Sequence, residues 1–276
     1  MFRLTAAAAL LAGATLAAQA QALPDRIKTA GKIIIATQPN YPPIVFKDVA
    51  TNQLSGFDIE LGEAIAKELD VKAEWQETAF VQMLPSLQTG RVDMVMAGMS
   101  DLPARRDSAD FVDYMDSGVQ FYTVTAFKDT VKTPEDLCGK SVGASRSTNW
   151  PQQIADWSME NCVTKGKPAI IVVGTEGSVD ARIQLKTQRL QGGVQGSETM
   201  SYFQKLEPNT YITLGRPFSS SLAGIPFAKT TEGTQLRDAV KGALHRLQAN
   251  GTYDALIEKY GLANNAIKTI TINQGK

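Results

Sequence analysis

Short β-branched, apolar runs alternate along this chain with stretches whose apolar residues recur every three or four positions. No other feature limits the fold as much. Lys32 to Thr37 reads KIIIAT, a buried strand. The segment Gln38-Pro39-Asn40-Tyr41-Pro42-Pro43 cannot be helix interior, because proline lacks the N–H and fixes φ. From Gly56 a helix is predicted in which Phe57, Leu61, Ile65 and Leu69 share one face. Val71 to Trp75 alternates as a strand. Phe80, Met83, Leu84 and Leu87 form a second helical stripe that Gly90 stops, and Val92 to Ala97 is the next strand. Strands separated by helices of roughly 10–15 residues imply βαβ units on a mostly parallel sheet, an α/β fold.

The pattern breaks after Tyr114 and restarts. Val119 to Thr125, Gly139 to Ala144 and Ile170 to Val173 are predicted strand segments, with helices around Asp180 to Thr187 and Thr199 to Gln204. A Gly/Pro/Ser-rich passage, Leu214 to Ser221, precedes a strand at Ala223 to Phe227. Two helices follow, lined by Leu236, Val240, Leu244 and Leu247, then by Tyr253, Leu256, Ile257 and Tyr260. About 250 residues arranged in this way suit two modest cores rather than one large one.

Residues 1–22 stand apart. Arg3 precedes a charge-free Ala/Leu-rich run from Leu4 to Ala18, and Ala18-Gln19-Ala20 and Ala20-Gln21-Ala22 fit a small-x-small cleavage site. That is a secretory signal peptide, too short and weakly apolar for a membrane span. With 28 basic and 28 acidic residues, the chain lacks the basic surplus that neutralises phosphates, so nucleic acid is not the expected partner. Cys138 and Cys162 are the only cysteines, and in an exported chain they suggest one disulfide. A nucleophilic cysteine would need a base, and the only histidine, His245, lies far along the chain. A single histidine also argues against a metal site. No phosphate loop, dinucleotide fingerprint or nucleophile elbow is present, so no cofactor and no catalytic residue is expected.

Arg105 is the most informative single residue. It follows the strand VDMVMA, a loop and Pro103, which suits the first turn of a helix. This places a guanidinium over the carboxyl end of a parallel sheet, where open α/β folds bind ligands. Arginine grips a carboxylate in a two-pronged fork. Alternatively it is an ordinary surface arginine. Ser147-Thr148-Asn149, between a strand and a helix, reads as an anion site or as a simple helix cap. Tyr41 and Phe80, at element ends, could stack on a small molecule or belong to the core.

These pieces, in this order, resemble the periplasmic solute-binding proteins of polar amino-acid ABC transporters (bacterial extracellular solute-binding protein family 3). The matching blocks are Tyr41 to Pro43, Gly56 to Leu61, Met83 to Ser100, the Arg105 element, Asp136 to Gly143 and Leu247 to Gly261. The resemblance implies two α/β lobes joined by two crossing strands. Lobe one would comprise residues 23–116 and 217–276, and lobe two residues 117–216. It implies a monomer in the periplasm that closes on a small carboxylate solute, an amino acid or a relative, and presents it to a membrane ABC permease. Carried over by position, Arg105 and Thr148 hold the carboxylate, Gly98 and Ser100 meet the α-amino group, and Tyr41 and Phe80 form walls. Gln38 reads the side chain.

One departure bears on the ligand. Where the family places an aspartate for the ligand ammonium, this sequence has Gly196, flanked by Gln195 and Glu198; a usual glycine before Thr148 is Ser147. An ammonium buried without an anion costs several kcal/mol. Either Glu198 supplies the charge from a shifted position or the ligand lacks a standard amino group. The alternatives to a transport receptor are an enzyme on the same scaffold, like cyclohexadienyl or arogenate dehydratase, with Glu198 as its acid, and a ligand-sensing protein.

Overall fold

The computed structural model describes residues 23–276, so the expected signal peptide, residues 1–22, lies outside it. The first lobe opens with α1 (Asp25–Ala30) and β1 (Lys32–Thr37). A small antiparallel sheet follows, made of β2 (Asn40–Tyr41), β3 (Val45–Lys47) and β4 (Leu54–Ser55). Then come α2 (Phe57–Glu68), β5 (Lys72–Glu77), α3 (Phe80–Gln88), β6 (Met94–Val95) and α4 (Pro103–Arg106). β1 is central and runs parallel to β5 and β6, as the alternation of strand and helix requires. Helix α2 buries Phe57, Leu61 and Ile65 against Ile33 and Ile35 of β1.

The chain leaves this lobe on β7 (Ala109–Val124). The second lobe holds β8 (Ser141–Ser145), α5 (Trp150–Asn161), β9 (Ile171–Thr175), α6 (Ser178–Lys186), β10 (Gly192–Gly196) and α7 (Ser197–Leu206). Strands β10, β8 and β9 are mutually parallel, and β7 pairs antiparallel to β10. The return is β11 (Tyr211–Ala228), antiparallel to β7 along its length. Helices α8 (Thr231–Ala249) and α9 (Thr252–Lys259) then close the first lobe, and β12 (Thr271–Ile272) pairs with β7.

Two strands are longer than their sequence suggests. The expected break after Tyr114 and the Gly/Pro/Ser-rich passage from Leu214 to Ser221 are both interior to continuous strands, of 16 and 18 residues. The physical reason is that β7 and β11 pass from one core to the other. Val112, Tyr114, Ala223 and Ile225 belong to the first core, whereas Val119, Phe121 and Leu214 belong to the second. Between them Asp116, Ser117, Arg216 and Ser219 to Ser221 belong to neither core, so the apolar pattern lapses while both strands continue, although Phe218 still packs on the second core. The register shifts between Leu214 and Ser219, where Pro217 has no N–H to donate. The expected division points, 116/117 and 216/217, fall within these two strands.

Cys138 and Cys162 form a disulfide with Cα atoms 5.6 Å apart. It ties the turn Pro134–Leu137 to the end of α5, at the edge of the second core.

Candidate functional site

A cavity of about 220 Å³ lies between the lobes. Pockets for drug-sized molecules run to roughly 300–1,000 Å³, so this one suits something smaller. Seven of the eight residues expected at a ligand site line it: Gln38, Tyr41, Phe80, Gly98, Ser100, Arg105 and Thr148. They come from sequence positions more than a hundred residues apart because β1, β6 and β8 all end at the same gap. Glu198 is the exception and does not reach the cavity surface.

Arg105 sits on α4, whose first residue is Pro103, as the sequence implies. Its Nη1 donates to the Ser100 carbonyl at 2.8 Å, and the guanidinium stands 5.5 Å from the Phe80 ring centroid. No carboxylate among the described residues pairs with it. Burial lowers its pKa to about 10, which leaves it charged at neutral pH. The cavity therefore contains an uncompensated cation. Gln38 spends its amide oxygen on the Phe80 N–H at 2.9 Å, where it caps the start of α3. Thr148 is engaged locally. Its hydroxyl donates to the Ser145 carbonyl at 2.8 Å and accepts from the Trp150 N–H at 3.2 Å, and its own N–H also bonds to Ser145. The turn after β8 thus uses the groups expected to face an anion.

Glu198 lies in the first turn of α7 and is 3% exposed. Its Oε1 accepts from the Tyr41 hydroxyl at 2.7 Å and from the Ser117 hydroxyl at 2.8 Å, while Oε2 has no partner. Burial raises its pKa, which Asp116 reinforces and the two hydroxyls oppose. The Tyr41–Glu198 bond crosses from one lobe to the other. Two aromatic pairs span the same gap, Tyr41 with Trp150 at 6.5 Å and Phe46 with Tyr202 at 5.7 Å between ring centroids.

This contact explains the glycine at 196. A Cβ there would collide with the Tyr41 hydroxyl and the Glu198 carboxylate. Position 196 must therefore lack a side chain while Glu198 occupies this place, so an aspartate at 196 and this arrangement of Glu198 exclude one another.

A second buried acid supports the same end. Asp58, fully buried in α2, accepts from the Gly98 N–H at 2.9 Å and from the Tyr114 hydroxyl at 2.7 Å. Burial lifts its pKa to about 7, with Glu198 adding to the rise. Sequence reasoning missed Asp58, Ser117, Trp150 and Gln195. Asp58 reads as an ordinary first-turn acid of a helix. Ser117 and Gln195 are single polar residues in strands, with no local signal. Trp150 stands before Pro151 at a legible helix start, but nothing local shows which way it faces.

The family model "Bacterial extracellular solute-binding proteins, family 3" matches residues 33–263. The L-cystine-binding protein TcyJ of Escherichia coli (strain K12) is 29% identical over 257 residues, covering 92% of each chain. The solved structure of an ancestral arginine-binding protein bound to arginine superposes with a TM-score of 0.73 at 29% identity, covering 83% of this chain and 98% of that one. An ancestral amino acid-binding protein described as a precursor of cyclohexadienyl dehydratase gives a TM-score of 0.74 at 30% identity, covering 86% and 98%.

Proposed function

The chain belongs to family 3 of the bacterial extracellular solute-binding proteins, and from that premise we propose that it captures an amino acid between its lobes and delivers it to a membrane ABC permease. The observation that carries the reading is Arg105, a half-buried guanidinium without a counter-ion, facing a cavity of amino-acid size. A ligand carboxylate completes it with two parallel charge-assisted hydrogen bonds. At the other end the Tyr41 and Ser117 hydroxyls spend their protons on Glu198. Their lone pairs remain, polarised by the carboxylate behind them, and serve as acceptors for a ligand ammonium. The charge of Glu198 thus acts through two hydroxyls. Gln38, Phe80, Gly98, Ser100 and Thr148 complete the wall, with Gln38 nearest the role of reading the ligand side chain.

Lobe one comprises residues 23–116 and 217–276, and lobe two residues 117–216, with closure by bending of β7 and β11 where they pass between cores. The protein works as a periplasmic monomer after removal of residues 1–22. It is a receptor rather than a catalyst. A dehydratase needs an acid in contact with its substrate, and Glu198 is screened from the cavity by Tyr41 and Ser117.

A thermal-shift screen of the amino acids, simple amines and small organic acids tests the reading, because a ligand of the folded state raises apparent stability. Stabilisation by one or a few amino acids is expected, and stabilisation by amines alone would refute the role given to Arg105. Aromatic product from prephenate or arogenate would overturn the receptor reading.

A further inference from the structure

We propose that residues 271–276 form a strap that positions α4, and through it Arg105, for ligand capture. The inference rests on the reading that Arg105 holds a carboxylate. α4 is one turn long and contributes no buried residue of its own, so something else must hold it in place. Arg105 points into the cavity, whereas its neighbour Arg106 points away and grips Asp101 with two bonds, at 2.6 and 2.8 Å. Asp101 is fully buried at the base of the same loop, and the Gly275 N–H donates to its Oδ2 at 2.8 Å. Arg106 also donates to the Gly275 carbonyl, so the strap, the loop and α4 share one closed ring of hydrogen bonds.

The strap is itself anchored to the crossing strand. Thr271 and Ile272 pair with Asp113 and Val112 of β7, and the Thr271 hydroxyl and Gln274 N–H both donate to Asp113 Oδ2, at 2.7 and 3.0 Å. Asn273 exchanges bonds with Phe111 and Asp110. On the opposite side the loop is tied to β11, where the Asp101 N–H donates to Leu222 and the Gly224 N–H to Met99, at 2.8 and 2.9 Å. The loop that carries Ser100 and Arg105 is therefore held between β11 and the strap, and beyond that loop Arg106 hydrogen-bonds only to the strap among the described residues. None of residues 271–276 lines the cavity. They act on the ligand only through α4, as positioning residues.

The test compares the parent chain with two variants, Gly275→Ala, whose added methyl would collide with the Asp101 carbonyl, and a chain ended after Ile270. Without ligand, amide hydrogen exchange between Met99 and Arg106 should quicken at least tenfold in both, with exchange in the β8–β9 region unchanged. With ligand, L-arginine, L-histidine and L-cystine are each measured against their methyl esters, alongside any other amino acid the thermal screen selects. In the parent the free acid should bind far more tightly than the ester, and in the variants that ratio should shrink about tenfold while ester binding holds. Unchanged exchange in the loop, or a parallel loss of acid and ester binding, would overturn the strap. If no amino acid binds the parent, the transport reading fails, and the exchange measurement still decides whether the strap holds the loop.

Discussion

The two ends of the cleft are electrostatic opposites. At one end the half-buried Arg105 guanidinium has no anion. At the other, two buried carboxylates, Glu198 and Asp58, have no cation among the described residues. Each end alone is unfavourable, since burial without a partner of opposite charge disfavours the ionised form of all three groups. Together they match a molecule that carries a carboxylate and an ammonium a short distance apart. The ends also differ in readiness. Arg105 faces the cavity directly, with one hydrogen bond, to the Ser100 carbonyl. Glu198 already has one oxygen satisfied by Tyr41 and Ser117 and presents its charge through them. On the proposed reading the basic end supplies affinity and the acidic end supplies selection among acids, and the Tyr41–Glu198 bond links the lobes.

The comparison breaks most readily at Arg105. Arg105→Ala leaves a ligand carboxylate buried without its partner, a loss of roughly 2–5 kcal/mol. Calorimetry should show affinity reduced about 30-fold or more, with the thermal midpoint of the free protein no lower than that of the parent. Unchanged affinity would place the carboxylate elsewhere.

Gly196→Asp addresses the acidic end by force. The new side chain collides with Tyr41 and Glu198, and overpacking of this kind costs roughly 1–3 kcal/mol. The expected outcome is a lower thermal midpoint, with small-angle scattering showing a more open molecule. A variant as stable and as compact as the parent would mean that Glu198 can retreat, and that the two arrangements are interchangeable after all.

Glu198→Gln sharpens the division of labour. It keeps the shape and removes the charge, so binding of an α-amino acid should weaken by about tenfold, or 1.4 kcal/mol. Its desamino analogue should bind as before. Equal losses for both compounds would assign Glu198 to lobe closure alone.

The smallest effect is the pH dependence contributed by Asp58. Burial holds its pKa at about 7 against an ordinary 3.8, so the folded chain keeps a proton that the unfolded chain releases. Stability from this group is therefore greatest in acid and declines as pH rises from about 4 to about 7. Asp58→Asn removes the titration while its amide oxygen accepts from the Gly98 N–H and its NH2 donates to the Tyr114 hydroxyl oxygen. The plot of thermal midpoint against pH should flatten in that window, and a slope identical to the parent's would locate the titration in another group.

Much of this architecture is legible in the sequence, and the exceptions share a cause. Periodicity reveals β1, α2, β5 and α3 because each buries one side against a single core. It fails on β7 and β11, whose residues change core midway and lose the apolar signal at the crossing. At the site, Pro103 followed by Arg105 marks a cation on a short helix after a strand, a local pattern that sequence displays. Thr148 lines the cavity, yet its hydroxyl and N–H serve the turn, because a turn's own hydrogen bonds are nearer than any ligand. Asp58 escapes notice because an acid in a helix's first turn is commonplace, and only packing shows it to be buried.

Sequence alone determined the alternating α/β build, the cation at Arg105 and the absence of a side chain at 196. Tertiary structure alone decided what that absence is for. Tyr41 and Glu198 stand 157 positions apart, and their hydrogen bond exists only because two lobes bring β2 and α7 to the same gap. Local sequence encodes backbone preference and which face is apolar. It carries no record of which distant group will occupy the space that a missing Cβ leaves open.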